Sequence, residues 1–162
     1  MLLISDANIL IDMEEGRVLQ LMFRLPERFA VPNTLYEEEL KANHSSLPTL
    51  GLQVMDIREE FVLEAHRLRT IYKRPSMNDL LALALAKQET CPLLTGDSHL
   101  REAARQEQVQ ANGTLWLMER LWGEGLIELA SLRRSYDLML QCGRRLPVAE
   151  IEAQLARLQR TL

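Results

Sequence analysis

The stretch LLISDANILID, residues 2–12, places a short apolar run against an acid, followed at once by a second apolar run with helical spacing. Leu2 to Ser5 are too few for a helix and too apolar for a surface loop, so they read as a buried strand. ANILIDMEEG then reads as a helix. Asp6 therefore stands where a buried strand hands over to a helix. A carboxylate in that position costs several kcal/mol unless something compensates it.

The same alternation continues along the chain. FAV (29–31), LQVMDI (52–57), CPLLTGD ending at Thr95, and VQA (109–111) closed by Asn112-Gly113 read as further strands. Between them lie helical patterns: Val18 to Leu25, a start at Pro32-Asn33-Thr34, Glu59 to Tyr72, the apolar PSMNDLLALALAK, and 98–108. Strands separated by helices need crossover connections, which make a mostly parallel sheet covered on both faces. The expected fold is a three-layer α/β/α sandwich. Thr114 is then expected to cap a helix carrying Leu115, Met118, Leu121 and Trp122. GEGLIEL breaks it, and helices at about 131–142 and 147–161 complete the chain, with Pro147 in the first turn of the last. The reading is a domain over 1–125 and a C-terminal helical extension over 126–162. The extension's stripe of Ile151, Leu155, Leu158 and Leu162 must pack on the domain or on a partner.

At 162 residues, 47% hydrophobic and 26% charged, the chain suits one domain with a sizeable core. A net charge of −4 excludes nucleic-acid binding through a bulk polycationic surface. Cys91 and Cys142 match no metal or redox spacing and read as reduced thiols of a cytoplasmic protein. The N-terminus has neither the basic region of a signal peptide nor a run long enough for a membrane anchor.

In an open parallel sheet, ligands collect beyond the carboxyl ends of the strands. Asp6 and Asp97 are expected at that edge, with Asp79 at the head of the apolar helix and a fourth acid from PNTLYEEEL. Each has a structural alternative. Ser76-x-x-Asp79 and Thr34-x-x-Glu37 both match the capping-box pattern, and Asp97 can cap the next helix. If Glu37 caps, Glu38 is the freer acid and Glu39 faces solvent. Clustered carboxylates repel, and a divalent cation with a preference for oxygen ligands reverses that cost. His44, His66 and His99 are scattered and offer no competing site.

Four segments, LLISDANILID, VPNTLYEEEL, PSMNDLLALALAK and LLTGDSHLREAA, together resemble the PIN domains. The resemblance implies an α/β/α nuclease whose dispersed acids hold Mg²⁺ or Mn²⁺. Position by position, those acids are Asp6, Glu38, Asp79 and Asp97, with the EEE run leaving Glu37 as an alternative to Glu38. Asn8, Thr95 and Ser98 match the supporting polar positions. The C-terminal GTLWLMERLWGEGLIEL segment is similar to a prokaryotic subgroup related to the VapC toxins. The implied activity is metal-dependent endoribonuclease cleavage of RNA. The implied partners are a cognate antitoxin and a second copy of the chain in a homodimer. The alternative is a catalytically silent PIN-like RNA-binding or protein-interaction module.

Two other readings of the acids fare worse. A phospho-acceptor receiver domain needs a late lysine after a strand, and a haloacid dehalogenase phosphatase needs Asp-x-Asp where this chain has Asp6-Ala7-Asn8. RNA affinity must come from local cations, for which Arg67, Arg69, Lys73 and Arg74 before Asp79, and Arg101 and Arg105 after Asp97, are the candidates.

Overall fold

The computed structural model describes residues Met1–Leu162. Five parallel strands form one sheet: β1 (Leu2–Ser5), β2 (Arg28–Pro32), β3 (Gln53–Met55), β4 (Leu93–Leu94) and β5 (Ala111–Asn112), in the order β3-β2-β1-β4-β5. β1 is central because its apolar residues can be covered on both faces: Leu3 and Ile4 are fully buried. It pairs through Leu3↔Phe29 on one side and Ile4↔Leu93 on the other. From β1 the chain builds outward to β2 and β3, then returns to the other side for β4 and β5. The order therefore reverses between β1 and β4, which opens a crevice beyond their carboxyl ends.

The crossovers are helical: α1 (Ala7–Glu15), α2 (Leu19–Met22), α3 (Asn33–Leu35), α4 (Leu47–Leu50), α5 (Glu59–Ile71), α6 (Met77–Glu89) and α7 (Ser98–Gln106). Beyond the sheet follow α8 (Thr114–Gly123), α9 (Leu129–Gln141) and α10 (Val148–Gln159). α6 lies across β1, β2 and β4 and packs between α5 and α7, which explains a helix without a polar face: Leu80 to Ala86 are all buried. The other layer is built by α1 with α2, α8 and α9. No helix is long and apolar enough to cross a membrane.

Several local expectations shift. The helix expected over Val18 to Leu25 shortens to the single turn of α2, and the last strand moves from 109–111 to β5, where Ala111 pairs with Leu93. Thr114 does not cap α8. The cap position belongs to Gly113, and the Thr114 hydroxyl turns inward to donate to Asp12 Oδ2 at 2.7 Å. A buried carboxylate outcompetes a helix end for that hydroxyl because its desolvation is the larger cost. The Thr34–Glu37 capping box also fails to form. α3 begins two residues earlier than that box requires, with Pro32 at the cap position and no side-chain cap, and runs into a π-helical turn over Tyr36–Leu40 in which the Lys41 N–H donates to Tyr36 O at 2.8 Å.

The C-terminal stripe packs onto the rest of the chain, with Ile151, Leu155 and Leu158 buried and Leu162 left exposed. Polar contacts fix the angle of α10. Tyr136 Oη donates to Gln154 Oε1 at 2.5 Å, and Gln154 Nε2 donates to Leu115 O at 2.9 Å. The loop between α9 and α10 is tied down by Arg144, whose Nε donates to Asp12 Oδ1 at 2.6 Å.

Candidate active site

Asp6 ends β1 and caps α1, its Oδ1 accepting from the Ile9 N–H at 2.9 Å. Its other oxygen, Oδ2, accepts from Thr95 Oγ1 at 2.6 Å. Thr95, fully buried after β4, accepts in turn from the Asp97 N–H at 3.0 Å. One hydroxyl therefore links the acids that end the two strands flanking the crevice. Asp97 caps α7, Oδ1 accepting from the Leu100 N–H at 2.8 Å. Asp79 completes a reciprocal box with Ser76: Ser76 Oγ accepts from the Asp79 N–H, and Asp79 Oδ2 accepts from the Ser76 N–H, both at 3.0 Å. Three helix N-termini thus converge on one sheet edge, and their partial positive charge lowers the cost of gathering acids there.

The cost remains visible. Burial pushes the Asp6 carboxyl up to about 7, against hydrogen bonds from Thr95 and Ile9 that pull it down, and the charges of Asp79 and Asp12 push it further up. Burial also raises the Asp79 carboxyl; the Ser76 contacts oppose this, Asp97 adds to it and Arg69 offsets part of it. Asp79 therefore couples to Asp6 on one side and to Asp97 on the other.

The Glu37–Glu39 run divides its work. Glu37 pairs with Lys41 at 3.1 Å on the surface. Glu38 Oε1 accepts from Asn78 Nδ2 at 3.0 Å, tying it to the residue before Asp79. Glu39, expected to face solvent, is exposed as a residue, yet its carboxyl also meets the site. Burial raises it, the Asn78 amide lowers it, and Asp79 and Glu38 raise it further. The widened π turn brings two successive glutamates to the same rim, a deviation that occurs often at functional sites.

Of the other expected residues, Asn8 is exposed and its Oδ1 accepts from Arg144 Nη2 at 3.0 Å. Ser98 is exposed at the start of α7. Arg69 is folded back on the loop before α6, donating to Lys73 O at 3.1 Å and to Pro75 O, so it holds the segment that presents Asp79. Lys73 and Arg74 are exposed and form no ion pair. Arg101 Nη2 donates to Thr95 O at 2.9 Å, directly behind the Asp6–Thr95 link. Arg67 and Arg105 are engaged by Glu64 and Glu107, and by Glu102. Sequence reasoning missed Asn78, Glu39 and Arg144. Asn78 was readable as the neighbour of Asp79, whereas Arg144 lies 132 positions from Asp12 and no local spacing announces it.

The donors at this edge are all hard oxygens, the set Mg²⁺ prefers. No three acidic, His or Cys side chains close on one point by themselves. A cation here would complete its shell with water or substrate oxygens, as Mg²⁺ commonly does. The fit is one of chemistry and charge: the raised Asp6 and Asp79 carboxyls are sites where a cation is favourable.

The fold matches solved structures. One is a PilT N-terminus domain protein, SSO1118, of Sulfolobus solfataricus P2, with 11% identity, a TM-score of 0.51, and coverage of 75% of this chain and 93% of that one. Another is VapBC2 from Rickettsia felis, solved with a DNA fragment from its promoter, with 17% identity, a TM-score of 0.50, and coverage of 70% and 98%. No curated protein matches. The PIN domain family model matches residues 2–160, nearly the whole chain. The strand order, the acids at its reversal and that match lead to one conclusion: this chain belongs to the PIN-domain family.

Proposed function

We propose that the protein is a metal-dependent endoribonuclease that hydrolyses RNA phosphodiester bonds at the edge formed by Asp6, Asp79 and Asp97, with Glu38 at the rim. The observation that carries this reading is Asp6: a buried carboxyl pushed up to about 7 beside Asp79, with both oxygens aligned by Thr95 and Ile9. Asp6, Glu38, Asp79 and Asp97 would hold Mg²⁺ or Mn²⁺, which when bound supplies charge for the scissile phosphate and acidifies the attacking water. The chain's own contribution is positional. Thr95 fixes the rotamer of Asp6 and the backbone of Asp97, the Ser76 box orients Asp79, and Asn78 draws Glu38 towards it. The three helix N-termini keep these acids poised before any substrate arrives.

Purified protein is expected to cleave RNA with Mg²⁺ or Mn²⁺ and not with EDTA. Asp6→Asn and Asp79→Asn should each abolish cleavage. Cleavage that survives EDTA or both substitutions would refute the reading. A silent RNA-binding or interaction module is the second reading, favoured by the capping duty that Asp6, Asp79 and Asp97 all perform. It predicts binding without cleavage under every metal.

The resemblance of the C-terminal segment to the VapC subgroup, together with the fold shared with VapBC2, supports a role as the toxin of a toxin–antitoxin pair in the cytoplasm. Induced expression should then arrest growth, and a small protein encoded beside it should relieve the arrest. Normal growth with soluble, active enzyme would count against that role. A homodimer is expected, and light scattering tests it.

A further inference from the structure

We propose that the cavity between the Thr95–Asp97 turn and the α9–α10 loop is a nucleotide subsite, holding an unpaired RNA base and its phosphate beside the carboxylate edge. It rests on the nuclease reading only for the purpose of that binding. The cavity measures about 460 Å³, and Gly96, Arg101, Gly113, Trp116, Arg145 and Glu150 are among its walls. That size falls within the roughly 300–1,000 Å³ of small-molecule sites. Gly96 lies between Thr95 and Asp97, so the cavity reaches the turn that carries Asp97.

Arg101 is held in place while most of its donors stay free. Nη2 donates to Thr95 O at 2.9 Å, and it fits because Gly113 has no side chain: a Cβ there would lie 2.5 Å from Nη2. The remaining N–H groups of the fork are available to a phosphate. Arg145, on the opposite wall, is exposed and makes no ion pair or hydrogen bond. By contrast, Arg67, Arg105, Arg120, Arg133 and Arg157 all sit against glutamates. The backbone at Arg145 is positioned by its neighbour Arg144, which bridges Asp12 and Asn8. Asp12 also lines the cavity, but Arg144 and Thr114 occupy its oxygens.

Trp116 supplies the apolar wall. It is half-buried against the core, and its indole N–H has no partner. An indole beside free guanidinium groups is how sequence-tolerant sites bind single strands: the base stacks and the cations take the phosphate. α8 and α10 both begin at this cavity without side-chain caps, so their first N–H groups favour an anion as well. Glu150 is the one exposed acid in the lining and opposes a phosphate.

The test is fluorescence titration with the RNA hexa-adenylate, in Ca²⁺ to neutralise the acids, using full-length Trp122→Phe protein so that Trp116 alone reports. The hexamer should quench Trp116, whereas inorganic phosphate at equal concentration should not. Arg145→Ala and Arg101→Ala should each weaken binding by about tenfold and lower the salt slope by about 1. Glu150→Gln should tighten binding, and the distant charge control Arg160→Ala should leave it unchanged. Absence of quenching, or equal affinity in Arg145→Ala, Glu150→Gln and the parent, would overturn the subsite. Quenching without cleavage under Mg²⁺ or Mn²⁺ sinks the nuclease and keeps the subsite. Cleavage with an unaltered KM in Arg145→Ala and Trp116→Phe does the reverse.

Discussion

Replacing Asp6 by Asn should stabilise the metal-free protein at alkaline pH while abolishing its activity. Burial holds the Asp6 carboxyl at about 7 against an ordinary 3.8. Between those values the folded protein keeps a proton that the unfolded chain has released, so stability falls as pH rises and the full penalty applies above the folded value. A shift of that size corresponds to roughly 4 kcal/mol. Of this, roughly 2–3 kcal/mol develops between about pH 5 and about pH 8. The Asn side chain can still accept from the Ile9 N–H, but its amide nitrogen cannot accept from the Thr95 hydroxyl, a loss of roughly 0.5–1.5 kcal/mol. Wild type and variant should therefore be close to parity at about pH 5, with the variant ahead by roughly 2–3 kcal/mol at about pH 8. Urea unfolding in EDTA across that range measures the difference, and taking it between the two proteins cancels the other titrating groups. A difference that is flat with pH, or that favours wild type increasingly as pH rises, would refute the argument. Mg²⁺ should stabilise the wild type at about pH 8 more than the variant, because the variant has lost one of the carboxylates that would hold the cation.

Asp79→Asn should remove RNA cleavage yet cost less than about 1 kcal/mol in urea unfolding, since an amide oxygen can still accept from the Ser76 N–H. Arg144→Ala should destabilise by about 2–3 kcal/mol, because it leaves the Asp12 carboxylate, 9% exposed, with Thr114 as its remaining partner. A thermal melt that does not move would contradict that burial. Gly113→Ala should alter stability by less than about 0.5 kcal/mol, since its new Cβ meets the far end of a flexible side chain. It should nonetheless displace Arg101 and raise KM for RNA; an unchanged KM would mean that Arg101 takes no part in binding.

The β/α alternation was legible because each strand and helix carries its own periodicity, and a parallel sheet follows from the lengths between strands. The apolar run over Leu80 to Ala86 likewise announced a helix buried on every side. Asp6, Asp79 and Asp97 were recognisable by position, at strand ends and helix starts, and the Ser76–Asp79 box was readable from its spacing. What stayed hidden depends on competition between partners distant in the chain. Thr114 matched a capping pattern, but the better partner was Asp12, brought near only by the packing of α8 on α1. The glutamate run had no readable register because a π turn, set by tertiary packing, decides which carboxyls reach Asn78 and Asp79. Arg144 and Arg145 gave no local signal; docking of the last two helices joins one to Asp12 and sets the other beside Arg101 and Trp116. Local pattern determines which segments are strands, helices and caps, since those interactions span a few residues. Which charges face one another is settled only when the layers close, because it depends on which groups lose water together.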